Sequence, residues 1–424
     1  MRLRSTLKAA LAAGLATACA AATAQLLPQA QLPDIGGTVD RLGRVAAGTI
    51  DGTTRGIAQL SPRELARLRL DRLRALVRSN PELLEMTDSG PAVRGQVIAI
   101  DPDPATLEAI EAAGFTIAGE EWFEGLDLRT VTLEPPRGWS IDRALSRLRR
   151  AAPNGQFEAN HIHTRSGPAP LLAAGTAVLA QGGTAGARAI GLIDGGVAEH
   201  PSLSGPIEQR GFAAGAPRPS AHGTAVASLA VGTGGVRGAA PGAPLVVADV
   251  YGRDPAGGNA VAVARALGFM VQRRVAVVAV SLVGPANALV ARAIAQARAR
   301  GTHVVAAVGN DGPAAPPAYP ASYPGVIAVT GVDRRNRVLI EAGRALHLDY
   351  AAPGADMAAA AGDGRLAAVR GTSYAVPLVA GRLFRHADSP RAIALLDAEA
   401  APPRRRGYGR GLICGDCRTP PPRG

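Results

Sequence analysis

The sequence predicts an α/β protein: a three-layer domain on a mostly parallel sheet, preceded by a small α+β sandwich. Three observations carry this. From residue 189 onward, short Val/Ala/Ile-rich runs alternate with helical segments, the pattern of a parallel sheet covered on both faces. Residues 93–163 read instead as strand, helix, two hairpin strands, helix and strand. Finally, 47% of the 424 residues are hydrophobic but only 3% are aromatic. A core of small aliphatic side chains suits close packing of helices onto a sheet.

Taken in order, residues 1–24 read as a secretion signal. Arg2, Arg4 and Lys8 form a basic start, residues 9–22 are apolar but too short to span a bilayer, and Ala22-Thr23-Ala24 offers small residues for cleavage. An alternative is lipid anchoring at Cys19, since residues 15–19 are an imperfect match to a lipobox. No later apolar run reaches the roughly 18 residues of a transmembrane helix. A secreted or periplasmic protein without stable membrane insertion is expected.

Residues 25–90 comprise a flexible, Gly/Pro/Thr/Gln-rich lead-in and one amphipathic helix. Ser61-Pro62-Arg63-Glu64 is a capping box with proline at the first helical position, and Asn80-Pro81 stops the helix. Leu65, Leu68, Leu73 and Leu76 share one sector and Arg67, Arg74 and Arg78 the other, so the helix is expected to dock on the next domain.

Residues 91–165 form the βαββαβ unit. Strand 93–100 precedes a helix opened by Asp103-Pro104 and ended by Gly114. A hairpin over 115–133 turns at Glu124-Gly125, Ser140 caps a second helix, and 156–163 is the last strand. That order is a ferredoxin-like split-βαβ sandwich. After a Gly/Ala/Pro-rich connection, residues 166–413 carry strands at 189–193, 244–250, 275–281, 302–308 and 326–332. Helices at 222–231, 258–272 and 286–300 lie between them.

Residues 414–424 are a Cys/Pro-rich tail. Cys414 and Cys417 lack the further ligands of a zinc site, and in an oxidising compartment they are expected to form a local structural disulfide. The net charge is +12, nearly all of the basic residues being arginine. With no zinc-finger spacing and no aromatic-studded basic stretch, no nucleic-acid partner is expected.

Three segments carry chemistry: GLIDGGVAEHP around Asp194, HGTAVASLAVG from His222, and GTSYAVPLVAG carrying Ser373. A serine hydroxyl needs an adjacent base to become a nucleophile, and the base needs a carboxylate to fix its tautomer. Asp194 ends a strand at the carboxyl edge of the sheet, where α/β folds bind ligands. His222 and Ser373 are each expected to open a helix. Asn310, in AAVGNDGP, stands just past a buried strand, where its amide and the Ser373 N–H can form an oxyanion hole. The other six histidines, His161 and His163 among them, are expected to be surface or packing residues. GLIDGG also invites a nucleotide- or sugar-binding reading, but no GxGxxG follows a strand where one is required.

In these segments the chain resembles the subtilisin-like serine proteases. The resemblance extends through HPSLSG, Ser281-Leu282, AYPASYPGVIAVTGVD, LDYAAPG and YGRGLI, from about Gly191 to Ile413. It implies a subtilisin-like three-layer fold and a serine endopeptidase acting on polypeptides through an Asp-His-Ser triad and an acyl-enzyme. Ser281, Leu282 and Val283 would hold substrate backbone, and Ala307, Val308 and Gly309 would line the primary specificity pocket. No cofactor is required for that chemistry and no metal ligand is identified, although the family allows structural calcium. The βαββαβ unit resembles the family's propeptide, a chaperone and inhibitor removed by self-cleavage, here expected between Asn160 and Gly167. Gly195 replaces the usual Thr or Ser, Val283 the usual Gly, and Tyr374, Val376 and Leu378 the commoner Met, Ser and His. The alternative is a non-catalytic, peptide-binding homologue.

Overall fold

The computed structural model describes residues 60–166, 178–180, 188–402 and 406–421. The expected signal, Cys19 and most of the lead-in and connection lie outside them. No helix among the described residues is long and apolar enough to cross a membrane.

Helix α1 (Pro62–Ser79) opens on the expected capping box: Ser61 Oγ accepts the Glu64 N–H and Glu64 Oε2 accepts the Ser61 N–H at 2.7 Å. Only Leu65 of its leucine sector is fully buried. A short strand that the sequence reading missed, β1 (Leu84–Met86), follows and pairs with β2 (Pro91–Ile100). The small sheet therefore begins inside the segment expected to be lead-in, because three residues are too few to show a period.

Next come α2 (Pro104–Ala112), β3 (Thr116–Phe123), β4 (Leu128–Glu134), α3 (Ile141–Ala151) and β5 (Gln156–His161). Antiparallel pairing in the order β3-β4-β2-β5 is the split-βαβ arrangement. Its core packs Ile110, Leu145 and Leu148 of the helices against Val97, Ala99, Val131 and Leu133. The last strand ends earlier than expected, and the chain resumes as the two-residue β6 (Thr164–Arg165).

The larger domain holds β7 (Ile190–Asp194), β8 (Ile207–Gly211), α4 (Ala221–Val231), β9 (Leu245–Asp249), α5 (Ala260–Gln272) and β10 (Val277–Val280). It continues through β11 (Leu282–Val283), α6 (Ala288–Ala299), β12 (His303–Ala307), β13 (Ile327–Val332) and β14 (Tyr350–Pro353). A hairpin, β15 (Met357–Ala360) with β16 (Leu366–Val369), precedes α7 (Val376–Phe384) and α8 (Ala392–Glu399). Seven strands form one sheet, β14-β13-β12-β10-β7-β9-β8, and every neighbouring pair in it is parallel.

Alternation along each strand builds the three layers. Ile190, Leu192, Val277 and Ala279 face one core, shared with α4 and α7. Ile193, Val278 and Val280 face the other, shared with α5 and α6. Side chains two apart on a strand share a face, so a run of Val and Ala can fill both layers at once. Cys414 and Cys417 are disulfide-bonded with Cα atoms 5.2 Å apart. Both pack into the first core, and Thr419 Oγ1 accepts the Arg237 N–H at 2.8 Å. Cys414, Cys417 and Thr419 of the expected tail thus pack against the domain.

The small sheet sits on the N-termini of α5 and α6. Asn160 Oδ1 accepts the Val261 N–H at 3.2 Å and Glu158 Oε1 the Ala288 N–H at 3.2 Å. Asn287, the cap of α6, donates from Nδ2 to the Ala159 carbonyl at 2.9 Å. These side chains satisfy helix-end N–H groups that would otherwise lack partners. Burial holds the Glu158 carboxyl above its usual range.

Candidate active site

Asp194 closes β7 at the carboxyl edge of the sheet, and its Oδ1 accepts the Gly195 N–H at 2.7 Å. His222 is the second residue of α4. A Cβ on Gly223 would lie 2.3 Å from the Gly195 carbonyl oxygen. Glycine after the histidine is therefore what lets the helix approach the aspartate loop. His222 Nδ1 stands 2.8 Å from Asp194 Oδ2 and 3.0 Å from Oδ1, while Nε2 stands 3.0 Å from Ser373 Oγ. All three side chains are buried.

Ser373 is in a short 3₁₀ turn, Thr372–Tyr374, and α7 begins only at Val376. From sequence, Ser373 is expected at the mouth of the helix itself. The cause is local: Gly371 adopts φ +143°, a conformation that disfavours side chains, and turns the chain just before the serine. A Cβ there would also come within 3.2 Å of Asn310 Nδ2. Ser281 Oγ donates to the Ser373 carbonyl at 3.0 Å, fixing the turn from the other side. Tyr374 packs its ring 5.4 Å from that of His222.

Asn310 lies across from the serine. Its Oδ1 accepts the Thr372 N–H at 2.8 Å, and its Nδ2 donates to Ser166 Oγ at 3.1 Å. Ser166 belongs to a segment that runs through the site. β6 pairs antiparallel with β11, Arg165 opposite Leu282 and Thr164 opposite Val283. The Ser166 N–H donates to the Ser281 carbonyl at 3.0 Å, and on the other side the His163 N–H donates to the Gly258 carbonyl at 2.8 Å. Residues 163–166 are thus a strand laid into a groove with its carboxyl end beside Ser373. This is the geometry of β-addition.

The structure brings Asp194, His222, Ser373 and Asn310 together and places Ser281, Leu282 and Val283 along the strand. Leu282 serves through its main chain alone, because its side chain is in the core. Ala307 and Val308 likewise bury their side chains in the two cores. Gly309 is the member of that trio nearest the site, its carbonyl accepting Thr372 Oγ1 at 3.1 Å. Val283 Cγ1 leans over it, 3.6 Å from where a Gly309 Cβ would stand.

Sequence reasoning missed His163, Arg165 and Tyr251. His163 is fully buried, and its ring nitrogens have no hydrogen-bond partner. Burial, with His161 nearby, lowers its pKa to about 4. Only the extended character of this stretch was visible; its register against the groove has no sequence signal.

A carboxylate, an imidazole and a hydroxyl in line, beside a peptide-binding strand, define a serine hydrolase that acts on polypeptides. Comparison with known proteins is specific. The subtilase family profile (Peptidase S8) matches residues 187–385. Subtilisin BL of Lederbergia lenta is 34% identical over 202 residues, 45% of this chain and 73% of that protein. Subtilisin E of Bacillus subtilis (strain 168) is 31% identical over 221 residues, 48% of this chain and 56% of that protein. In fold the chain is similar to fervidolysin from Fervidobacterium pennivorans, with a TM-score of 0.60 at 19% identity, covering 79% of this chain and 62% of that one. It is also similar to the epidermin leader peptide processing protease of Staphylococcus aureus, with a TM-score of 0.57 at 17% identity, covering 76% and 97%. The chain belongs to the subtilase family and is a subtilisin-like serine endopeptidase.

Proposed function

We propose that this endopeptidase is exported as a zymogen that cuts itself between Ser166 and Gly167. Asp194, His222 and Ser373 act as the triad, Asn310 as an oxyanion donor, and the β1–β5 unit as propeptide. The observation that carries the reading is the line Asp194–His222–Ser373 at 2.8 and 3.0 Å with residues 163–166 docked beside it.

In the proposed step Ser373 Oγ attacks the Ser166 carbonyl carbon while His222 Nε2 takes the hydroxyl proton. Asp194 holds the imidazole by Nδ1 and stabilises its cation. The Asn310 amide donates to the developing oxyanion. His222 then passes the proton to the Gly167 nitrogen, and the Ser166–Gly167 bond breaks. Water, deprotonated by the same imidazole, hydrolyses the ester and frees Ser373. The docked unit supports folding as well as inhibition. A large parallel sheet is slow to form, and a surface that caps α5 and α6 lowers that barrier.

Expression of the wild type and Ser373→Ala in a protease-free background tests this. The wild type should yield a mature chain starting at Gly167 and label with a fluorophosphonate at Ser373. The alanine variant should remain uncut. Maturation of Ser373→Ala on its own would refute self-processing.

A further inference from the structure

Arg165, the second residue before the proposed scissile bond, has a seat prepared for it. Its guanidinium carbon lies 4.1 Å from the centre of the Tyr251 ring. Its Nε lies 3.8 Å from Asp194 Oδ1. A Cβ on Gly195 would meet the Ser220 Cβ at 2.6 Å and Arg165 Nη2 at 3.0 Å, so the bare glycine is required first by Ser220 and also leaves room beside the guanidinium.

Tyr251 is held in advance of any ligand. Asp249, at the end of β9, accepts the N–H groups of Tyr251 at 2.9 Å and Gly252 at 3.0 Å, and that of Arg218 at 2.8 Å. The Tyr251 hydroxyl donates to the His163 carbonyl at 3.1 Å, binding the strand two residues away as its ring receives the cation. A fixed aromatic face beside a carboxylate suits a flat, weakly hydrated guanidinium better than a compact ammonium.

We infer that Tyr251, with Asp194 and the gap at Gly195, is a specificity site for arginine two residues before the cut. The substrate class is polypeptides carrying Arg followed by a small residue at the scissile position. This rests on the reading that residues 163–166 lie as a substrate would. Tyr251 is a specificity-determining residue, because it touches the substrate side chain but not the reacting atoms.

Matched internally quenched peptides spanning residues 161–167, extended on the leaving side, test it with the self-processed enzyme. One carries arginine at the position of Arg165, and the other carries citrulline, which keeps the planar shape but replaces one NH2 with a carbonyl oxygen and loses the charge. The arginine peptide should have a kcat/KM about tenfold higher, equivalent to about 1.4 kcal/mol. In Tyr251→Leu that ratio should fall at least threefold. Equal cleavage of the two peptides by the wild type, which needs no variant to fold, overturns the inference alone. An unchanged ratio in Tyr251→Leu does the same. Failure to cut either peptide, with no fluorophosphonate label on Ser373, overturns the proposed function and this inference with it.

Discussion

Arg69 Nε lies 3.3 Å from Asp311 Oδ2, and Arg72 pairs with the other carboxylate oxygen. The residue next to Asn310 is thereby tied to α1, outside the small sheet. Leu65 packs against Gly312, whose Cβ would stand 3.0 Å from it. The amphipathic helix therefore clasps the loop that carries the candidate oxyanion donor. Partly exposed ion pairs are worth about 0.2–1 kcal/mol each. The double variant Arg69→Gln/Arg72→Gln should release the cut N-terminal portion about two- to tenfold faster, read as a shorter lag before activity appears. An unchanged lag would mean the pairs do not hold the complex.

Acid should loosen the docked strand. The His163 ring sits buried between the strand and the Gly284 main chain, with His161 nearby and the Tyr251 hydroxyl on its carbonyl. Its pKa is about 4 when docked against an ordinary 6.5 or so when exposed. A released strand therefore binds a proton more readily than a docked one. Docking is at full strength above about pH 6.5, weakens by about 1.4 kcal/mol per unit as pH falls, and loses no more below about 4. Release of the cut prosegment should be at least tenfold faster at pH 5 than at pH 7.5, and His163→Leu should reduce that dependence, leaving the part due to His161, whose pKa burial also lowers to about 4. Equal rates at both pH values would count against it.

Val283 should restrict the residue at the scissile position. Ser166, the occupant here, is small and buried, and Val283 Cγ1 stands over Gly309. Peptides ending in Ser or Ala before the cut should be preferred over Leu or Phe. Val283→Gly should shift that ratio toward the larger residues by about tenfold, the scale of one or two methylene groups in a pocket. A library digest mapped by mass spectrometry measures both ratios, and an unchanged profile would place the restriction elsewhere.

How far the sequence revealed this differs from residue to residue. Asp194, His222 and Ser373 were legible because each stands beside glycines at the end of a Val/Ala-rich element. The central strands were legible for the same reason, since residues buried on both faces leave continuous apolar runs. β8 was missed because its residues are only part-buried beyond Ile207, the mark of a sheet edge. β14, β15 and β16 are only four residues each, too short to show a period. The 3₁₀ turn at Ser373 depends on the Gly371 conformation, and the pairing of Arg165 with Leu282 depends on groove geometry; neither leaves a local pattern. Tyr251 gained its place from Asp249, so its role is readable only in three dimensions.

Asn310 does two jobs that substitution can separate. Its Nδ2 faces Ser166 and its Oδ1 holds the Thr372 N–H at 2.8 Å, next to the nucleophile. Asn310→Ala removes both, whereas Asn310→Asp keeps the acceptor and removes the donor. Both should lower kcat about 10²–10³-fold with little change in KM, a magnitude carried over from subtilisin itself rather than obtained from this geometry. Only the alanine variant should also lose stability, by about 1 kcal/mol for the missing hydrogen bond. Steady-state kinetics on one peptide, with denaturant midpoints for the two variants on an uncleavable Ser373→Ala background, separates the roles. If Asn310→Asp kept wild-type kcat, the Nδ2 donor would have no part in stabilising the oxyanion.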